Sequence, residues 1–292
     1  MRLLVTADLH YDSPRSRSGV VELCRRVGRA RGDALVLVGD SAGAAHQHLR
    51  DCLALFAGFS GRKFMVPGNH CLWCLPGEDS LTRYEKTIPT IAAEAGFSVL
   101  DHAPAVIEGV GLVGSIGWYD YSYRDHRLEI PLEFYRAKVT PGAAARLEKH
   151  RGLIETFSGR LTPRHYELGI RWMDGVHVRM NMSDEQFLDH LLARLRGQLE
   201  QMDREESVWQ VVAFVHHLPF GQLVPQDRPP HFAFAAAYMG SDRIGETLLA
   251  CRKLTHVFCG HSHWKDAALI GGVRVINVGS TYVEKRLETL DL

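Results

Sequence analysis

Five short blocks carry the residue types that could do chemistry: Asp8-Leu9-His10, Gly39-Asp40, Gly68-Asn69-His70, His216-His217 and Gly260-His261-Ser262-His263. Carboxylate, carboxamide and imidazole groups in this mixture suit borderline divalent metals such as Mn, Fe, Zn, Co or Ni. Two such ions ~3.5–4 Å apart can lower the pKa of a shared water and hold the oxygens of a phosphoryl group, the two demands of phosphate-ester hydrolysis. A site of this kind needs one carboxylate shared between the ions and several neutral imidazoles. Each block alone is a weak signal. Asp40 after a strand, or Asn69 after Pro67-Gly68, suits a cap or turn, and a solitary histidine is usually a surface or core residue. Five blocks in one chain, each behind an apolar run, reverse those odds.

Those runs are RLLVTA, ALVLV, KFMV, WQVVAFV and THVFC. Strands of one sheet end side by side, so residues distant in sequence can meet at one edge on a rigid scaffold. Through about residue 115 the pattern alternates strand and helix. A strand ends at Ala7, and Val20, Val21, Leu23, Cys24 and Val27 predict a helix over 20–31. Further strands are predicted at Ala34–Val38 and 63–66, with a helix over 45–57 between them. This alternation implies parallel strands with crossover helices. After Phe97 short strands follow at 98–100, 105–107 and 112–115 without helices, and near the end 267–270 and 273–278 flank Gly271-Gly272 as a hairpin. Ser183 reads as the N-cap of a helix to about Met202, with Leu188, Leu191, Leu192, Leu195 and Leu199 on one face.

The order D-x-H, G-D, G-N-H, H and G-H-x-H, each after a strand, resembles the calcineurin-like metallophosphoesterase family, from residue 8 to residue 263. The resemblance implies an α/β fold, a four-layer α/β/β/α sandwich of two mixed sheets flanked by helices. It implies that Asp8, His10 and His263 bind one metal, that Asn69, His216 and His261 bind a second, and that Asp40 bridges them. His70 would stand beside the substrate, and a hydroxide bridging the two ions would attack phosphorus. The run His216-His217-Leu218-Pro219-Phe220 resembles the family's H-H-P-P-F, whose first histidine is the ligand; neighbours on a strand point to opposite faces, so His216 is chosen over His217. Two departures stand out. Ser41-Ala42-Gly43 follows Asp40, and Cys71 follows His70, where the family often has acidic residues. A carboxylate orienting His70 would raise its basicity; Asp101-His102 is a candidate substitute. Cys71-Leu72-Trp73-Cys74 reads as a loop on the pocket rim, because a zinc or redox site would need a second pair or a matching strand–helix setting.

The expected activity is therefore that of a phosphoesterase, a phosphodiester being slightly favoured, on a phosphorylated small molecule or nucleotide. The alternatives are a metal-dependent nuclease and a non-catalytic metal-binding scaffold. Lys plus Arg equals Asp plus Glu, 34 against 34, which disfavours a nucleic-acid partner. No apolar run approaches the ~18 residues that cross a bilayer, and Met1-Arg2 runs directly into a core strand, so a cytoplasmic protein without a signal peptide is expected. One domain over 1–292 is expected, with 116–182 as an inserted, partly helical cap or packing subregion. The aromatic run there, with Trp118, Tyr119, Tyr121 and Tyr123, either stacks on a planar substrate group or packs the insertion itself. The sequence leaves the oligomeric state open.

Overall fold

The computed structural model describes residues 1–226 and 229–292. Its first sheet has the order β11-β1-β2-β3-β4. Strands β1 (Arg2–Ala7), β2 (Ala34–Val38), β3 (Arg62–Val66) and β4 (Phe97–Val99) run parallel, and β11 (Glu288–Asp291) is antiparallel to β1. The second sheet has the order β5-β6-β7-β8-β10-β9. Here β6 (Val110–Ser115), β7 (Gln210–Val215), β8 (Leu254–Cys259) and β10 (Val273–Asn277) are parallel, with β5 (Ala105–Ile107) and β9 (Asp266–Ile270) antiparallel at the edges.

The central strands are apolar on both faces because both faces are covered. Alternate residues of β1, β2 and β3 (Leu3, Val5, Val36, Val38, Phe64, Val66) pack with Leu112, Val212, Phe214 and Phe258 of the second sheet. The residues between them (Leu4, Leu35, Leu37, Met65) belong with Val20, Leu23, Val27, Leu49 and Leu53 of the helices Pro14–Ala30 and His46–Ala54. Two mixed sheets thus pack face to face with helices outside, as the resemblance implied.

Two helix bounds differ from those expected. The first helix begins at Pro14, six residues before the apolar stripe, since Pro at the first helical position is preorganised and loses no hydrogen bond. The second ends at Ala54 and continues as turns. Helix Asp184–Arg204 has Ser183 as N-cap in a reciprocal box with Gln186, and all five expected leucines are buried. Its buried Gln198 bonds Gly114, Leu100 and Asp101, tying the helix to β6 and the turn after β4. Residues 116–182 hold only short helical pieces, such as Leu132–Arg136 and Arg151–Phe157. Trp118, Tyr119, Tyr121, Phe134 and Tyr135 are fully buried, so these rings pack the segment instead of offering a face to substrate. Among the described residues no helix is long and apolar enough to cross a membrane.

Candidate metal centre

The parallel strands of both sheets end on one side, and the predicted site residues leave from those ends. Asp8 follows β1, Asp40 follows β2, Asn69 and His70 follow β3, His216 follows β7 and His261 follows β8. Backbone hydrogen bonds stitch the exits together: Asp8 N–H to Gly39 O at 3.2 Å, Gly39 N–H to Val66 O at 2.9 Å, and Gly260 N–H to His216 O at 3.1 Å. Asp8, His10, Asp40, His261 and His263 all take positive φ, between 44° and 68°. Such backbone costs of order 1–3 kcal/mol at a non-glycine residue and persists where the surroundings impose it, which happens most at functional sites. The glycines of two blocks are required by crowding. A Cβ on Gly39 (φ 83°) would lie 1.9 Å from the His216 ring, and one on Gly68 would lie 2.2 Å from Asp40 Oδ1.

All eight predicted residues converge. Donor atoms of Asp8, His10 and His263 lie within 4.8 Å of one another, as do those of Asp40, His216 and His261. Asp40 Oδ2 faces both sets, 3.6 Å from His10 Nε2 and 3.4 Å from His216 Nε2. Asn69 Oδ1 is 3.3 Å from His216 Nε2. His10 and His263 approach through their Nε2 atoms at 3.1 Å. Two tautomers are fixed by carbonyls, which can only accept. His216 Nδ1–H donates to Val38 O, leaving Nε2 for the centre, and His261 Nε2–H donates to Tyr238 O, leaving Nδ1. His217 instead turns to Ile116 O at 3.0 Å and packs near Trp118.

The electrostatics suit a bound cation. Burial holds His10 and His261 well below the usual imidazole range and lowers His263 too, so these three are neutral lone-pair donors. Burial opposes the charge of Asp40, but His216 and His70 outweigh it and keep its carboxyl well below the carboxylate range. Burial raises Asp8. Two fully buried carboxylates thus meet three neutral imidazoles and one, His216, that Asp40 and Asp8 hold toward its cationic form; a divalent metal in place of that proton would compensate both carboxylates.

Several supporting residues gave no sequence signal. Asp174, buried in the aperiodic segment 116–182, accepts four hydrogen bonds: from Asn69 Nδ2 (2.9 Å), Trp73 Nε1 (2.7 Å), Trp172 Nε1 (2.8 Å) and Tyr119 OH (3.0 Å). It thereby aims Asn69 Oδ1 toward His216. Lys285 Nζ, buried, donates to Asp8 O at 2.7 Å and Thr281 O at 2.6 Å, holding the left-handed turn; burial lowers its pKa to about 8. Tyr282 stacks on His10 at 4.6 Å. Among the described residues no hydrogen bond or ion pair joins the His70 ring to a carboxylate. Its backbone N–H donates to Asp40 Oδ1 at 2.9 Å, and its ring stacks on Trp73 at 3.7 Å, which stacks in turn on His177. Asp101 accepts from Tyr84 OH and Ile116 N–H through Oδ1 and makes no bond to His70, so it does not replace the missing partner. Cys71 and Cys74 are buried thiols below the rim, while Trp73 between them lines the pocket. That pocket is a cavity of ≈ 640 Å³ with Asp40, Asn69, His70, His261 and His263 among its lining residues.

Residues 1–265 match the calcineurin-like phosphoesterase family. The chain belongs to that family. It is accordingly a metal-dependent phosphoesterase, with His and Asp groups placed to hold metal. No curated protein sequence matches it significantly. Among solved structures it is similar to the phosphopantetheinyl hydrolase of Mycobacterium tuberculosis, at 17% identity and a TM-score of 0.65, over 96% of this chain and 89% of that one. It is also similar to the TT1561 protein of Thermus thermophilus, at 12% identity and a TM-score of 0.55, over 99% of this chain and 98% of that one. At these identities the likeness is one of fold.

Proposed function

We propose that this calcineurin-like phosphoesterase works with two divalent ions and favours phosphodiesters of small molecules. The observation that carries the reading is the position of Asp40, whose Oδ2 lies within 3.6 Å of His10 and 3.4 Å of His216, between the two ligand sets. Asp8, His10 and His263 would hold one ion, and Asn69, His216 and His261 the other, with Asp40 shared. Ions so held supply an activated water as nucleophile and positive charge against the phosphoryl oxygens. The chain's own residues do the rest. Asp174 and the two carbonyls orient the ligands. His70, beside Asp40 on the pocket floor, gives the leaving oxygen its proton, and stacking on Trp73 fixes its ring where the family's carboxylate is absent. The products are an alcohol and a phosphomonoester.

The test is hydrolysis of bis-p-nitrophenyl phosphate against p-nitrophenyl phosphate by metal-stripped protein with Mn, Zn, Co or Ni restored. Metal-dependent turnover, faster on the diester and reaching its maximum at two ions per chain, is expected. A maximum at one ion removes the dinuclear reading, and a faster monoester removes the diester preference.

A further inference from the structure

We propose that the substrate of this site carries a monomeric aliphatic arm, bound against hydrocarbon contributed by Ile170, Trp172 and Met173 from one segment and Ala235, Ala236 and Met239 from another. This rests on the phosphoesterase reading and names the substrate class for the same site. The six residues line one cavity with Asp40, Asn69 and His70, so an arm attached to a phosphate at the metal ligands would reach them. The cavity, ≈ 640 Å³, far exceeds a phosphate group and falls in the range that encloses an organic ligand of drug size.

Exposure points the same way. Ten large apolar side chains stand exposed among the described residues, and three of them, Met173, Phe232 and Trp264, line this cavity from three separate segments. Apolar surface gathered at one concave place, with polar ligands at its floor, marks a binding site more than scattered exposure does. One part of the wall is also rigid. Trp172 stacks on Tyr238 with 4° between the planes, and its Nε1–H is fixed on Asp174. A wall ordered before binding spares the ligand that entropic cost. On this wall a nucleobase finds nothing to meet its edge: Ile170, Met173, Ala235, Ala236 and Met239 have no polar side-chain group, and Asp174 is already committed to four donors, whereas Arg171, His231 and Ser262 line the cavity outside the six residues named. A base buried there would leave polar atoms unpaired.

The experiment is calorimetric titration of the Mn-loaded full chain with methyl, butyl and octyl phosphate, kept below micelle-forming concentrations. Each methylene that is buried strengthens binding about fourfold, so octyl phosphate is expected to bind at least about 100-fold more tightly than methyl phosphate, with a negative heat-capacity change. Met173→Ser, at an exposed position that tolerates a polar side chain, should cut that ratio several-fold, and Met239→Ser should cut it further. Equal affinity for the three esters overturns the proposal. So does tighter binding of thymidine 5′-phosphate than of octyl phosphate, or binding of phosphatidic acid vesicles without binding of octyl phosphate. The chain-length dependence of binding is read whether or not p-nitrophenyl esters are turned over, with the titrated esters checked for released phosphate, so failure of hydrolysis in the ester assay and failure of the aliphatic arm are separate results.

Discussion

His216 offers one and the same nitrogen, Nε2, to a proton or to a metal, because Nδ1 is committed to Val38 O. Burial disfavours charge on His216, yet Asp40 and then Asp8 outweigh it and raise its pKa from 6.5 to about 9. The folded value exceeds the unfolded one, so this stabilisation is complete below about pH 6.5 and lost as pH rises through about 9. His217 behaves oppositely. Burial, with His216 adding to it, lowers its pKa to about 3, so the folded chain resists the proton that the unfolded chain takes up below 6.5, and stability falls as pH drops toward 3. Calorimetric Tm of the chelated protein should therefore lose part of its alkaline decline in His216→Gln and part of its acid decline in His217→Phe. Unchanged limbs would contradict these environments. Metal must displace the His216 proton, so apparent affinity should rise by up to about tenfold per pH unit toward pH 9. Two substitutions separate the roles at the centre. Asp40→Asn should lower bound metal and abolish turnover; metal content equal to that of the unaltered protein, measured by elemental analysis, would refute sharing by Asp40. His70→Ala should keep its metal and lose roughly 10²–10⁴ in rate, the usual range for a proton donor; a fully active variant would remove that role.

Elements were legible where periodicity and burial coincide. The strands before all five blocks stand to within a residue of their predicted ends, because parallel strands covered on both faces are nearly continuous apolar runs, and the Gly271-Gly272 hairpin follows from turn chemistry, with both glycines at positive φ. The start of the helix Pro14–Ala30 was not legible, since its first turn is polar. Nor was Asp174: its four donors come from positions 69, 73, 119 and 172, and no local pattern marks a residue whose partners are assembled by tertiary structure. The eight predicted residues of the centre, by contrast, sit at strand ends, where topology alone brings them together. Two consequences can be measured at this scale. Gly39→Ala must enter a positive-φ position against the His216 ring. A loss of more than about 1 kcal/mol is expected in denaturant titration from the backbone alone, together with poor metal retention. Asp174→Asn keeps the size of the side chain but puts an amide among four donors. Outer hydrogen-bond partners of ligands typically govern 10- to 100-fold in metal affinity, so metal titration should show a weakened second ion with the first ion unchanged. Equal weakening of both would mean that Asp174 acts through general packing.

Across the whole molecule the centre is a seam between the sheets. Asp8, His10, Asp40, Asn69 and His70 come from the first, and His216, His261 and His263 from the second. Metal bound only by the folded chain stabilises it by mass action, about 2.7 kcal/mol at a concentration 100 times the dissociation constant. Chelation should therefore lower Tm, and restored Mn or Zn should raise it with the logarithm of concentration; a Tm indifferent to metal would mean that the ligands are not bridged across the seam. The buried Lys285 adds a condition in time. Its ammonium supports the carbonyl of Asp8 from 277 positions downstream. During synthesis Asp8 precedes Lys285 by 277 residues, and the turn at Asp8 lacks this support until Lys285 has been added. Refolding from denaturant should show the closure of this 277-residue contact as a lag, with far-UV signal returning before metal-dependent activity.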